Sequence, residues 1–133
     1  MAVSSGWAWD ETFTASGDLS SNQYYFVAPA STAKRVLVAT GASGPAPIGV
    51  LQDDPVSGLE CSVRIMGSTK LSVNATTAIN YGDFLTSASD GQGIVTTGSA
   101  FHAMALGALA SGSGIVIEAL LLPHGAYLAD NTP

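Results

Sequence analysis

One order of short motifs occurs twice in this 133-residue chain. Val36 to Val38 falls on Ile94 to Thr96, and Ile48-Gly49-Val50-Leu51 on Leu106-Gly107-Ala108-Leu109, both at a spacing of 58. Around them, Gly17-Asp18 precedes the first group as Gly82-Asp83 precedes the second, and Ser57-Gly58 leads into LECSVRI as Ser113-Gly114 leads into IVIEALL. A solenoid needs three or more copies to bury its repeats, so two copies of about fifty residues point to a duplicated small domain.

The residues inside each copy favour strands. Leu59, Cys61, Val63 and Ile65 alternate with Glu60, Ser62, Arg64 and Met66, the period of a half-buried strand. Residues 24–28 (YYFVA), 35–40 (RVLVAT) and 48–51 (IGVL) are further runs of strand formers, separated by PASTA and GASGP. Gly67 is expected to break the long strand, with residues 70–73 resuming it. Asp90-Gly91 is a hairpin signal between strands at 84–87 and 94–97, because tight hairpin turns need positive φ. SAFHAMALGALA has helix-forming composition, but its match to PAPIGVL makes residues 104–109 a strand. The expectation is an all-β fold: a small β-barrel built from two repeated motifs, about 16–73 and 75–123. Closure would remove exposed strand edges. Residues 1–15 are expected to form an extended N-terminal arm and residues 124–133 a C-terminal tail.

Composition narrows function mainly by exclusion. Charged residues make up 11% of the chain, against ~25% in ordinary soluble domains, so the surface is small and neutral. A net charge of −6 argues against nucleic acid as a partner, since phosphate binding requires a basic footprint. No stretch approaches the ~20 apolar residues of a membrane span, and MAVSSGWAWDETF lacks the pattern of a secretory signal. Synthesis in a host cytoplasm is expected, with no membrane partner. Cys61 is the single cysteine and reads as a buried, inert thiol.

No constellation supports catalysis or a cofactor. His102 and His124 stand apart without metal-ligand spacing, and Asp53-Asp54 before Pro55 reads as turn chemistry. The serines lack a nucleophile elbow, and GASGP and DGQG lack the Lys and helix of a phosphate loop. The aromatic residues carry more information. Trp7, Trp9 and Phe13 cluster near the N-terminus, where they either cover the domain's own core or anchor a partner, as Trp and Tyr do at the centres of interfaces.

Several of these residues carry a family resemblance. Pro47 to Val50 (PIGV), the G-x-x-x-V-R strand from Gly58 to Arg64, Gly82-Asp83 with Leu85, the hairpin at Asp90, and Leu106-Gly107-Ala108 resemble the cement or head decoration proteins of tailed bacteriophages. The resemblance covers about residues 16 to 123. The first 15 residues, the loop through SGPAP, the FHAM insertion and the tail depart from it. It implies a non-enzymatic viral structural protein on the outer surface of the phage head, stabilising the capsid by bridging neighbouring major capsid proteins, often as a homotrimer. Trp7, Trp9, Phe13, Tyr24 and Tyr25 are then the candidate capsid-docking residues. Deleting residues 1–15 is expected to abolish docking and leave the barrel folded. The alternative is a virion-surface β-module that stacks host glycans on Tyr24, Tyr25, Tyr81 or the tryptophans.

Overall fold

The structure, a computed structural model, describes residues 8–96 and 100–122; Trp7, Thr97, His124 and the expected tail lie outside them. The described chain forms nine strands: β1 (Trp9–Ala15), β2 (Phe26–Pro29), β3 (Arg35–Val38), β4 (Gly49–Leu51), β5 (Glu60–Ala75), β6 (Phe84–Ser87), β7 (Gly93–Val95), β8 (Ala103–Ala105) and β9 (Gly112–Leu121). The all-β expectation holds.

The pairings close two rings. β1, β3, β2, β4 and β5 follow one another, and β5 returns to β1; β5, β7, β6, β8 and β9 repeat that order, and β9 returns to β5. β5 is common to both. Its residues 60–66 lie between β1 and β4 in the first barrel, and residues 67–75 pair β9 and touch β7 in the second. β1–β3 and β5–β7 are the parallel contacts of the two rings, and the others are antiparallel.

The duplication extends to individual hydrogen bonds. Tyr24 donates its amide to Leu51 as Gly82 does to Ala105, Ala39 to Phe26 as Thr96 does to Phe84, and Ile48 to Val27 as His102 does to Leu85. Tyr24 (φ 70°) and Gly82 (φ 90°) fill the same left-handed position 58 residues apart. That conformation is unfavourable for a residue with a Cβ, so the fold imposes it on Tyr24.

Three details differ from the sequence expectation. Gly67 (φ 100°) does not end a strand; pairing with β1 stops at Met66 and pairing with β9 starts at Gly67, so it is where β5 passes between barrels. Gly49 corresponds to Ala103 rather than Gly107, because Val27 pairs Gly49 as Leu85 pairs Ala103. The link between β7 and β8 is shorter than that between β3 and β4, which shifts the spacing there to 54. Residues 9–15, assigned to the arm, are a barrel wall, since β1 pairs β5 over its length and β3 at Thr14 and Ala15. The first ring therefore spans 9–66 and the second 67–121.

Strand alternation sorts the core. Ala15, Val27, Val36, Leu51, Cys61 and Val63 fill the first barrel. Phe26, Ala28 and Val50, at the alternate positions of β2 and β4, pack instead with Leu71, Val73, Leu85, Ile117 and Ala119 of the second. The outer face of the first barrel thus covers one end of its neighbour. Gly91, at the tip of the β6–β7 connection, allows this contact: a Cβ there would stand 2.4 Å from Val38 Cγ1 and 3.2 Å from the Phe26 carbonyl oxygen.

Candidate docking groove at the mouth of the first barrel

Among the described residues, nothing covers the corresponding end of the first barrel. Its mouth is an apolar groove of about 610 Å³, walled by Trp9 and Phe13 of β1, by the β2–β3 connection from Pro29 to Arg35, by Ile48 before β4, and by Ile65 and Met66 of β5. Phe13 and Ile65 are only partly buried. Their counterparts in the second barrel, Leu71 and Leu121, are 0% and 8% exposed. The difference reflects cover, not composition.

Two large side chains stand out at the rim. Trp9 and Met66 face each other across β1 and β5 and are 53% and 52% exposed. Local polar contacts hold this rim in place. Glu11 accepts the Trp9 indole N–H through Oε1 at 3.3 Å and the Lys34 ammonium through Oε2 at 3.5 Å. Lys34 Nζ also lies 4.5 Å over the Phe13 ring, within the range of a cation–π contact. The hydrogen bond to Glu11 orients the exposed Trp9 indole at the rim.

On the same two strands, Arg64 grips Asp10 through two bonds, Nε to Oδ1 at 2.7 Å and Nη2 to Oδ2 at 3.1 Å, and donates Nη1 to the Ser68 carbonyl at 3.0 Å. The hydrogen bond from Arg64 holds the Asp10 carboxyl below the usual carboxylate range. A carboxyl depressed in the folded state stabilises at neutral pH, and that contribution is lost as pH falls through the lowered value. The pair ties the start of β1 to β5 just before β5 passes into the second barrel.

Of the five docking residues expected from sequence, the structure brings Trp9 and Phe13 together in the groove, and Trp7 lies outside the described residues. Tyr24 and Tyr25 are placed elsewhere, at the junction of the barrels. Tyr24 packs on the second core, with Lys70 Nζ 5.9 Å from its ring, and the Tyr25 ring lies beside Gly91. Met66, Ile65, Ile48 and Pro29 are the groove residues that sequence reasoning missed. Met66 carried a usable signal, being a large apolar residue on the polar side of the alternation.

The residues singled out for chemistry have structural roles. Asp53 accepts the Ser62 amide at 3.2 and 3.3 Å. Cys61 is buried in the first core, where desolvation and then the Asp53 charge push its thiol up to about 11. The ring of Phe26 meets that of His102 edge-on at 6.3 Å. Among the described residues, no three His, Cys, Asp or Glu side chains gather as a metal site.

No family model and no curated protein matches this chain. Among solved structures it is similar to the head fiber gp8.5 N base of bacteriophage phi29, with a TM-score of 0.65 over 86% of this chain and 94% of that one, at 18% identity. The two chains share a fold.

Proposed function

We propose that this protein is a structural component of a bacteriophage head, seated on the outer capsid surface through the mouth of its first barrel. In this reading it contacts the major capsid protein, bridges neighbouring subunits as a homotrimer, and stabilises the shell without catalysis or a cofactor. One observation carries the reading: nearly the whole of the similar chain, a head fiber base from a phage, superposes on this one. The exposed apolar mouth supplies a surface suited to docking, since aromatic anchors in an apolar pocket dominate interface energetics. A closed double barrel suits a surface protein as well, because closed rings leave few strand edges for unwanted pairing.

The test uses phage heads assembled without this protein. Purified protein is added, the heads are sedimented, and the temperature at which they lose their genome is recorded. The proposal expects the protein to pellet at saturable stoichiometry and to raise that temperature. Protein left wholly in the supernatant, with the heads unchanged, would overturn it.

A further inference from the structure

Asp90-Gly91 is the only place in the chain where Asp or Asn precedes glycine. That pair has a chemistry of its own besides its turn preference. The glycine amide nitrogen, unshielded by a Cβ, can attack the neighbouring side-chain carboxyl. A bond forms from that nitrogen to Asp90 Cγ, one carboxyl oxygen leaves as water with the amide proton and the carboxyl proton, and a five-membered succinimide closes. Water then adds to one of the two ring carbonyls. Opening at Cγ restores Asp90, whereas opening at the α-carbonyl leaves isoaspartate, whose main chain runs through the side chain and is one methylene longer. The sequence of steps consumes and returns one water and needs no enzyme, metal or oxidant.

The fold keeps the two reacting groups apart. Ala88 donates its amide to the Gln92 carbonyl at 2.8 Å, and Gly91 donates its amide to the Ala88 carbonyl at 3.1 Å. Ser89, Asp90 and Gly91 thus form a three-residue hairpin loop with Gly91 left-handed at φ +89°. The amide that must attack is tied back to Ala88. The carboxyl is tied forward: Oδ1 accepts the Gln92 amide at 3.1 Å, and Oδ2 accepts Gln92 Nε2 at 2.9 Å. Gln92 is itself only 5% exposed. Its Oε1 accepts the Gly114 amide at 2.8 Å and the Ser72 hydroxyl at 3.4 Å, and Nε2 also donates to the Ser113 hydroxyl at 3.4 Å. Releasing a buried amide from such partners leaves polar atoms unsatisfied, which holds the side chain in place.

We infer that Asp90 is a modification site, the point at which this protein ages by isomerising to isoaspartate, and that Gln92 is the positioning residue that suppresses the reaction in the folded chain. Asp90 is exposed to the water that opens the ring, so the reaction waits only on opening of the turn, and its rate follows the open population. The damage falls on the junction of the barrels. The Gly91 carbonyl accepts the Phe26 amide at 2.9 Å, and Gly91 packs against Val38 and Tyr25 without room for a Cβ. A main chain one methylene longer at position 90 moves Gly91 out of register with these partners.

The test holds the full chain at neutral pH and physiological temperature beside a synthetic peptide of residues 86–95, and counts isoaspartate at position 90 by enzymatic methyl transfer and peptide mapping. The folded chain should isomerise at least about tenfold more slowly than the peptide, as for an open state populated at ~10% or less. Gln92→Met keeps the side-chain volume but cannot hold Oδ2, and should raise the rate about fivefold, the effect of one lost hydrogen bond. Val63→Ala, a destabilised reference in the first core, should leave the rate at the parent's value, which separates the hold on Asp90 from general loss of stability. If Gln92→Met fails to fold, hydrogen exchange of the parent at the Gly91 and Gln92 amides still decides. The open fraction it reports, multiplied by the peptide's rate, should reproduce the rate of the folded chain. A folded chain that isomerises as fast as the peptide, an unchanged rate in Gln92→Met, an equal rise in Val63→Ala, a mismatch with the exchange data, or no isoaspartate in either chain or peptide would overturn the proposal.

Discussion

Ser72 donates its backbone amide to the carbonyl of Tyr24 at 2.8 Å, and this bond joins the edge of one barrel to the turn that opens a strand of the other. With the shared β5, it makes the two barrels a single folding unit. The consequences are measurable.

Gly91 is packed closely at this junction. Its φ is +89°, and a Cβ would lie 2.4 Å from Val38 Cγ1. Gly91→Ala is expected to cost about 2–4 kcal/mol, combining the left-handed penalty with overpacking. Gly58 has a similar φ of +87° with nothing within 4 Å, so Gly58→Ala should cost only the conformational part, about 1–2 kcal/mol. Denaturant midpoints of the two variants separate the packing contribution from the backbone contribution.

Phe26 is fully buried between the barrels. Phe26→Ala should destabilise the protein by about 3–5 kcal/mol, the usual cost of emptying a buried aromatic site. Because β5 is a wall of both rings, unfolding of the parent protein should follow one transition. Tryptophan fluorescence, which reports on the first barrel through Trp9, and far-ultraviolet circular dichroism should give coincident curves.

The Cys61 thiol keeps its proton in the folded state until about pH 11, while the unfolded thiol ionises near 9. The unfolded state is therefore favoured increasingly as pH rises through that window, by at most about 3 kcal/mol. Stability of the parent relative to Cys61→Ala should fall between pH 9 and 11 and be constant below it. At pH 8, iodoacetamide should label Cys61 only after denaturant is added.

Deletion of residues 1–15 is now expected to disrupt the fold. It removes β1, which pairs six residues of β5 and closes the ring onto β3. Loss of the cooperative thermal transition in the truncated protein checks this. A truncated protein that melts like the parent would mean that β1 is dispensable.

Much of this architecture was legible in the sequence. The β5 alternation, the Asp-Gly signal and the apolar runs marked the strands, because half-buried strands require such patterns. Ser57-Gly58 and Ser113-Gly114 matched correctly, since Gly58 (φ 87°) and Gly114 (φ 72°) serve the same left-handed need. The Gly49–Gly107 match misled, because a small residue is needed there for packing and Ala103 meets that need as well. A Cβ on Gly49 would stand 2.2 Å from the Arg64 carbonyl oxygen, whereas Ala103 is accommodated at 0% exposure. The groove was only half legible. Trp9 and Phe13 stood out by residue type, but Ile48, Ile65 and Met66 join them through ring closure, which no local pattern encodes. Tyr24 and Tyr25 stand apart from the groove, half-buried at the junction, because the contacts that place them come from the other copy.

The most direct measurement of the central claim is the affinity of Trp9→Ala/Met66→Ser for phage heads that lack this protein, with the parent chain as reference. Both residues lie on the exposed rim, so the variant should keep the parent's melting temperature. The account predicts at least about tenfold weaker binding, as for loss of an aromatic anchor at an interface centre. Binding as tight as the parent's would show that the protein does not dock through the mouth of its first barrel.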